Sequence, residues 1–222
     1  MSFRTKIKYF LVHTLNYTGK NANNIIASGS LSINGKIIVQ NEALLDEDEV
    51  MLNGKVIKQN PEYRYFAIHK PIGIESTFHT SVKNNLSEIF KESGSFIVAG
   101  RLDKASEGLI LVSNNGKWVN RISRPENKKE KEYEVEVDKE IDDEFMNLIG
   151  AGVNIGFYTT LPCIVRKKEH NSFSIILTEG KNKQIRRMCK KLGYKVVRLK
   201  RIRIDKFYLD DLQGVVVKEL KI

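Results

Sequence analysis

Gly100-Arg101-Leu102-Asp103-Lys104-Ala105-Ser106-Glu107-Gly108-Leu109-Ile110-Leu111 holds a polar loop between two apolar runs, Phe96-Ile97-Val98 before it and Leu109–Val112 resuming after it. Apolar runs of this length read as strands, and glycine at the break permits tight backbone. A carboxylate held on such a scaffold is a candidate site residue. On spacing alone, however, a turn or cap role is the better reading of Asp103.

The flanking chain has a mixed pattern. Tyr65–His69 reads as a strand ended by Lys70-Pro71-Ile72-Gly73, where proline presets one turn residue and glycine accepts positive φ. Glu132–Val137 alternates, with Tyr133, Val135 and Val137 on one face and three glutamates on the other, the clearest strand in the chain. Asp142–Leu148 reads as a helix and Phe173–Leu177 as a strand. Gln184–Leu192 reads as a helix with Ile185, Met188, Cys189 and Leu192 on one face and its four bases mostly on the other. Irregular gaps argue against repeated βαβ units, so the expected class is α+β with a mixed sheet.

Residues 1–58 read as a separate small module: helices through Ile7–Leu15 and Ala22–Ala27, then two hairpin-like units turning at Asn34-Gly35 and Asn53-Gly54. The run Asp46-Glu47-Asp48-Glu49 lacks calcium-loop spacing and reads as a solvated turn. Gln59-Asn60-Pro61-Glu62 reads as a short linker, which leaves 63–222 as a second domain.

The 222 residues carry a formal charge of +10, with 41% apolar and 29% charged residues. No stretch approaches the ~18 apolar residues of a membrane span, and the start, Met1-Ser2-Phe3-Arg4-Thr5-Lys6, shows no signal-peptide pattern. Two cysteines and four scattered histidines form neither a disulfide framework nor a metal-ligand spacing. The expectation is a reduced cytoplasmic protein without a metal, its cysteines serving as small buried hydrophobes. The positive charge is local: residues 181–206 hold twelve bases against one acid, Asp205, while the rest of the chain carries 25 bases and 26 acids. Ordinary solvated faces mix both signs, so this segment points to a polyanion, with nucleic acid as the leading partner class and a membrane surface a weak alternative.

The loop quoted first resembles the GRLD-xxxx-GL signature of the RsuA-like family of pseudouridine synthases. Three further segments agree in order: Lys70–Thr77, Lys131-Glu132-Tyr133, and Glu179-Gly180-Lys181-Asn182-Lys183-Gln184-Ile185-Arg186-Arg187-Met188. Gln184–Cys189, Leu192-Gly193-Tyr194 and Gly150–Val153 are most similar to the RluF branch, which modifies large-subunit (23S) ribosomal RNA. Residues 1–58 resemble the S4 RNA-binding module of this family, notably at Gly29–Gly35. They depart from it at Thr18-Gly19-Lys20-Asn21-Ala22, where the usual basic helix start keeps one base, Lys20, so RNA contact there is expected to be weaker or differently placed.

The resemblance implies a mainly antiparallel catalytic domain that isomerises uridine to pseudouridine in RNA without a cofactor. Asp103 matches the catalytic aspartate, acting as nucleophile or base. Arg186 matches an arginine that pairs with it, and Tyr133 an active-site tyrosine able to stack on the target base. Arg101 matches a residue that fills the space left by a flipped uridine. Lys183 and Arg187 are expected on the RNA backbone. Two alternatives stay open: the same chemistry on transfer RNA, and a non-catalytic RNA-binding or ribosome-assembly protein. A monomer is the default expectation.

Overall fold

The structure is a computed structural model and describes residues 6–222; the opening stretch in which no signal-peptide pattern was read lies, up to Thr5, outside the described residues. The chain divides into two compact units, one ending at Glu62 and one spanning Tyr63–Ile222. No helix among the described residues is long and apolar enough to cross a membrane.

The first unit holds helices α1 (Ile7–His13) and α2 (Gly19–Ala27) and strands β1 (Leu31–Ile33), β2 (Lys36–Ile38), β3 (Val50–Leu52) and β4 (Lys55–Lys58), in sheet order β2-β1-β3-β4. Helix α1 stops short of the expected Leu15 because the chain turns through Asn16 at φ +58°. Helix α2 starts three residues earlier than expected because the Thr18 side chain caps it, accepting from Asn21 N at 3.2 Å. Both Asn-Gly pairs take positive φ at both residues, as a tight hairpin turn requires. The acidic run is not simply solvated. Asp48 is 7% exposed, and its carboxylate accepts from Asn34 Nδ2 and Leu45 N, both at 2.7 Å.

The second unit contains β5 (Tyr65–Lys70), β6 (Ile97–Ala99), β7 (Glu107–Ser113), α3 (Gly116–Ser123), β8 (Lys131–Val137), α4 (Asp143–Ala151), β9 (Ile164–Glu169), β10 (Ser172–Leu177), α5 (Gln184–Lys191), β11 (Val196–Ile204), β12 (Phe207–Tyr208) and β13 (Val217–Glu219). Nine strands form one sheet whose main path runs β13-β5-β7-β11-β8-β10-β9, with β6 on β7 and β12 on β11. All its pairings are antiparallel except β7 with β11, in agreement with the mixed, mainly antiparallel expectation.

Alternation along β7 divides the core between the two faces of the sheet. Ile110 and Val112 join a cluster with Phe145 and Ile149 of α4 and Ile185, Met188 and Cys189 of α5, while Leu109 and Leu111 join Trp118, Val119 and Ile122 of α3. Helix α3 and the nine-residue β11 were not read as elements from the sequence. Helix α3 is short and is capped by Asn115, whose side chain accepts from Trp118 N at 3.1 Å. Strand β11 was hidden by its charge, since Arg198, Lys200, Arg201 and Arg203 interrupt any apolar alternation.

The parallel β7–β11 pair comes unusually close at Gly108 (φ +115°), where a Cβ would lie 2.2 Å from the Arg201 carbonyl oxygen. Only glycine permits this approach, and it sets the loop before β7 against β11.

Candidate active site

The β6–β7 loop, residues 100–106, is held by its own backbone carbonyls. Six consecutive ones accept hydrogen bonds: Gly100 O from Arg201 Nη2 at 2.8 Å, Arg101 O from Arg201 Nη1 at 3.4 Å, and Leu102 O from Ser76 Oγ at 2.6 Å. Asp103 O accepts from Ser106 N at 3.0 Å, Lys104 O from Gly73 N at 2.9 Å, and Ala105 O from Arg186 Nη2 at 2.8 Å. Ser76 also accepts from Leu102 N at 3.0 Å. A loop with six consecutive carbonyls engaged has few ways to rearrange.

Arg201 is the centre of this arrangement. It is 1% exposed and its third donor, Nε, reaches Leu109 O at 2.7 Å, so a guanidinium fork joins both ends of the loop. Beneath the neighbouring turn the fully buried Lys70 donates to Pro71 O at 2.7 Å and Ile74 O at 2.9 Å. Burial pushes the Lys70 amine down to about 8.

The half-buried Asp103 carboxylate contrasts with its backbone: among the described residues it forms no hydrogen bond or ion pair. It lines a groove of about 1020 Å³ together with Arg101, Lys131, Tyr133, Glu179, Lys183 and Arg186. Lys131 and Tyr133 share the inner face of β8, two residues apart. Lys131 is nearly buried and donates to Lys129 O at 2.9 Å; burial, with Arg201 nearby, lowers its amine to about 8. Glu179 is buried and fully used, accepting from Gln184 Nε2 at 2.7 Å, Leu161 N at 3.0 Å and the Tyr158 hydroxyl at 2.7 Å.

Of the residues singled out from the sequence, Asp103, Arg101, Tyr133, Arg186 and Lys183 therefore line one groove. Arg187 does not line it, and its guanidinium lies over the Phe157 ring, 5.0 Å from the centroid. Lys20 is exposed on α2 of the first unit.

The expected ion pair between Arg186 and Asp103 is not formed. Arg186 instead spends its donors on Ala105 O and on Val196 O at 3.1 Å, with a longer contact to Ser106 Oγ at 3.4 Å. It is thus half-buried against the loop and not on the solvated face of α5. The basic segment also differs from expectation, since part of its charge is internal. Arg201 is buried, Arg198 pairs with Glu107 at 2.6 Å, and Arg203 pairs with Glu130 and Glu132, both at 2.9 Å. The exposed lysines of residues 181–206 and the groove's Lys131 are among the charges that remain to meet an anion.

Ser76, Lys131 and Glu179 sat inside motifs read from the sequence but were not singled out, because serine, lysine and glutamate carry no individual signal there. Arg201 had none at all; among twelve bases in one segment, the buried one is indistinguishable by type.

The RNA pseudouridylate synthase family model matches residues 64–191. The dual-specificity RNA pseudouridine synthase RluF of Salmonella typhi is 41% identical over 187 residues, covering 83% of this chain and 65% of its own length. An uncharacterized RNA pseudouridine synthase of Aquifex aeolicus is 31% identical over 211 residues, 93% of this chain and 88% of that protein. A solved pseudouridylate synthase structure superposes with a TM-score of 0.67 at 25% identity, covering 98% of this chain and 96% of the other. The chain thus spans about 65% of the length of the RluF relative.

Proposed function

The chain belongs to the RNA pseudouridylate synthase family, and on that premise we propose that it isomerises uridine to pseudouridine in a stem-loop of large-subunit ribosomal RNA. The N1–C1′ bond of an extruded uridine breaks, the uracil turns, a C5–C1′ bond forms, C5 gives its proton to solvent and N1 takes one up. Nothing is added or removed overall. Asp103 acts on this nucleotide as nucleophile or base, in the cytoplasm and in a monomeric enzyme.

The observation that carries the reading is the state of Asp103. Its backbone is pinned by the hydrogen-bonded loop, while its carboxylate faces a groove and forms no bond to the rest of the described chain. A carboxylate positioned without an internal partner suits attack or proton abstraction on a bound group. Tyr133, buried and lining the groove, supplies an aromatic ring for the uracil, and exposed Arg101 supplies a planar cation for the gap left in the RNA stack. Arg186 positions Asp103 through Ala105. Lys183 and Arg187 contact phosphates.

The first unit is read as an S4-like RNA-binding module spanning residues 1–58, with Lys20 as its RNA contact, ahead of a catalytic domain over 63–222. The RluF relatives are named dual-specificity RNA enzymes, and the second reading of this chain's substrate is transfer RNA.

The test is tritium release from 5-tritiated uridine in unmodified ribosomal and transfer RNA transcripts. Release from 23S transcripts is expected. Release only from transfer RNA would transfer the substrate, and no release from either would leave a non-catalytic RNA-binding protein.

A further inference from the structure

Beyond the groove wall, the connection between α4 and β9 raises two adjacent aromatic rings beside the basic turn that precedes α5. Phe157 is 65% exposed, with the Arg187 guanidinium 5.0 Å from its ring centroid. Tyr158 has Lys181 Nζ 4.5 Å from its ring centroid and donates its hydroxyl to Glu179. Because Glu179 also holds Leu161 N and Gln184 Nε2, the aromatic connection and the basic turn are fixed to each other. Lys181 and Lys183 line the groove that contains Asp103, so the aromatic patch continues that groove outward.

We propose that Phe157, with the Arg187 guanidinium beside it and Lys181 over the neighbouring Tyr158 ring, is a stacking subsite for an unpaired nucleotide of the substrate RNA next to the uridine presented to Asp103. The proposal rests on the RNA reading above and extends it to a second nucleotide. An exposed phenyl ring beside a guanidinium, with an ammonium at the adjacent ring, offers a π face for a base and cations for its phosphate, the pairing that single-stranded nucleic acid sites use. An acidic peptide would find the same cations but no use for an aromatic platform. Every base has a π face, so this subsite fixes the RNA without reading its sequence.

The test uses the full chain with 5-tritiated 23S transcript and three variants, Phe157→Ala, Phe157→Leu and Phe157→Trp. The alanine and leucine variants are expected to raise KM about tenfold with kcat and the salt dependence unchanged, and the tryptophan variant to keep wild-type KM. Leucine preserves apolar bulk, so wild-type KM in Phe157→Leu would overturn the subsite. A binding measurement reads it independently of turnover: emission of Phe157→Trp should be quenched by a ten-nucleotide oligouridylate and not by polyglutamate. Absence of quenching by the RNA, or equal quenching by polyglutamate, refutes stacking. Failure of the wild-type protein to release tritium would instead refute the catalytic reading, leaving the quenching result to decide the subsite.

Discussion

Arg186 grips the backbone carbonyl of Ala105 at 2.8 Å and leaves the carboxylate of Asp103, two residues earlier, without an ion pair among the described residues. The arginine therefore orients the aspartate through the loop. An ion pair would have tied up the oxygens that must reach the nucleotide, whereas a carbonyl clamp fixes the backbone and leaves them free.

Asp103→Asn keeps the loop's backbone bonds and the shape of the side chain but removes the charge. Tritium release should fall by at least about a thousandfold. RNA affinity, followed by filter binding, should stay within about twofold of wild type, because phosphate contacts dominate it. Turnover near the wild-type rate would refute the role of Asp103.

Arg186→Lys retains the charge and cannot span Ala105 O and Val196 O together. Single-turnover rates should drop by roughly ten- to a hundredfold with KM little changed, the mark of misplaced chemistry and not of lost binding. A change confined to KM would make Arg186 an RNA contact instead.

Gly108→Ala places a methyl group 2.2 Å from the Arg201 carbonyl oxygen at a φ of +115°. Strands β7 and β11 must separate or the loop must shift, at a cost of about 2–4 kcal/mol. Urea denaturation should register the loss, and activity should fall further than stability, because Arg201 carries the Gly100 and Arg101 carbonyls.

Lys131 makes stability depend on pH. Its amine titrates near 10.5 when unfolded and at about 8 when folded, so between these values the unfolded chain binds more protons and stability rises with pH. Below about pH 8 the burial penalty is present in full, on the order of 3 kcal/mol. Lys131→Met should therefore be more stable than wild type at pH 7, with the difference shrinking as pH rises toward 10.5, in parallel urea titrations. It should also be less active, since the groove loses a donor. A constant difference across pH would show that the lysine is not the group responsible.

Lys183→Gln removes an exposed base and Arg187→Gln a half-buried one. If each neutralises one phosphate, the slope of log affinity against log salt should become shallower by about 0.7–0.9 per substitution. An unchanged slope would remove that residue from the RNA backbone contacts.

Much of this was legible in the chain itself. Alternation in Glu132–Val137, the Asn-Gly turns and the apolar runs around the loop are local signals, and each became the element it implied because neighbouring residues decide them. The helix beginning at Gln184 showed its apolar face in the same way. Asp103, Tyr133 and the basic turn could be picked out by motif. Helix α3 and strand β11 could not be read, since one is short and the other is studded with arginines whose partners come from distant strands.

What only the tertiary structure decided is which charges are working parts and which are scaffold. Arg186, Arg187, Arg198, Arg201 and Arg203 are alike in sequence. Folding sends one to a loop carbonyl, one onto a phenyl ring, two to glutamates and one into the interior. The physical reason is that a guanidinium takes its role from the acceptors within a few ångströms of it. Those acceptors, at Gly100, Ala105, Leu109, Glu107 and Glu132, arrive from residues about 70 to 100 positions away in the chain, brought near by the pairing of β11 with β7 and β8.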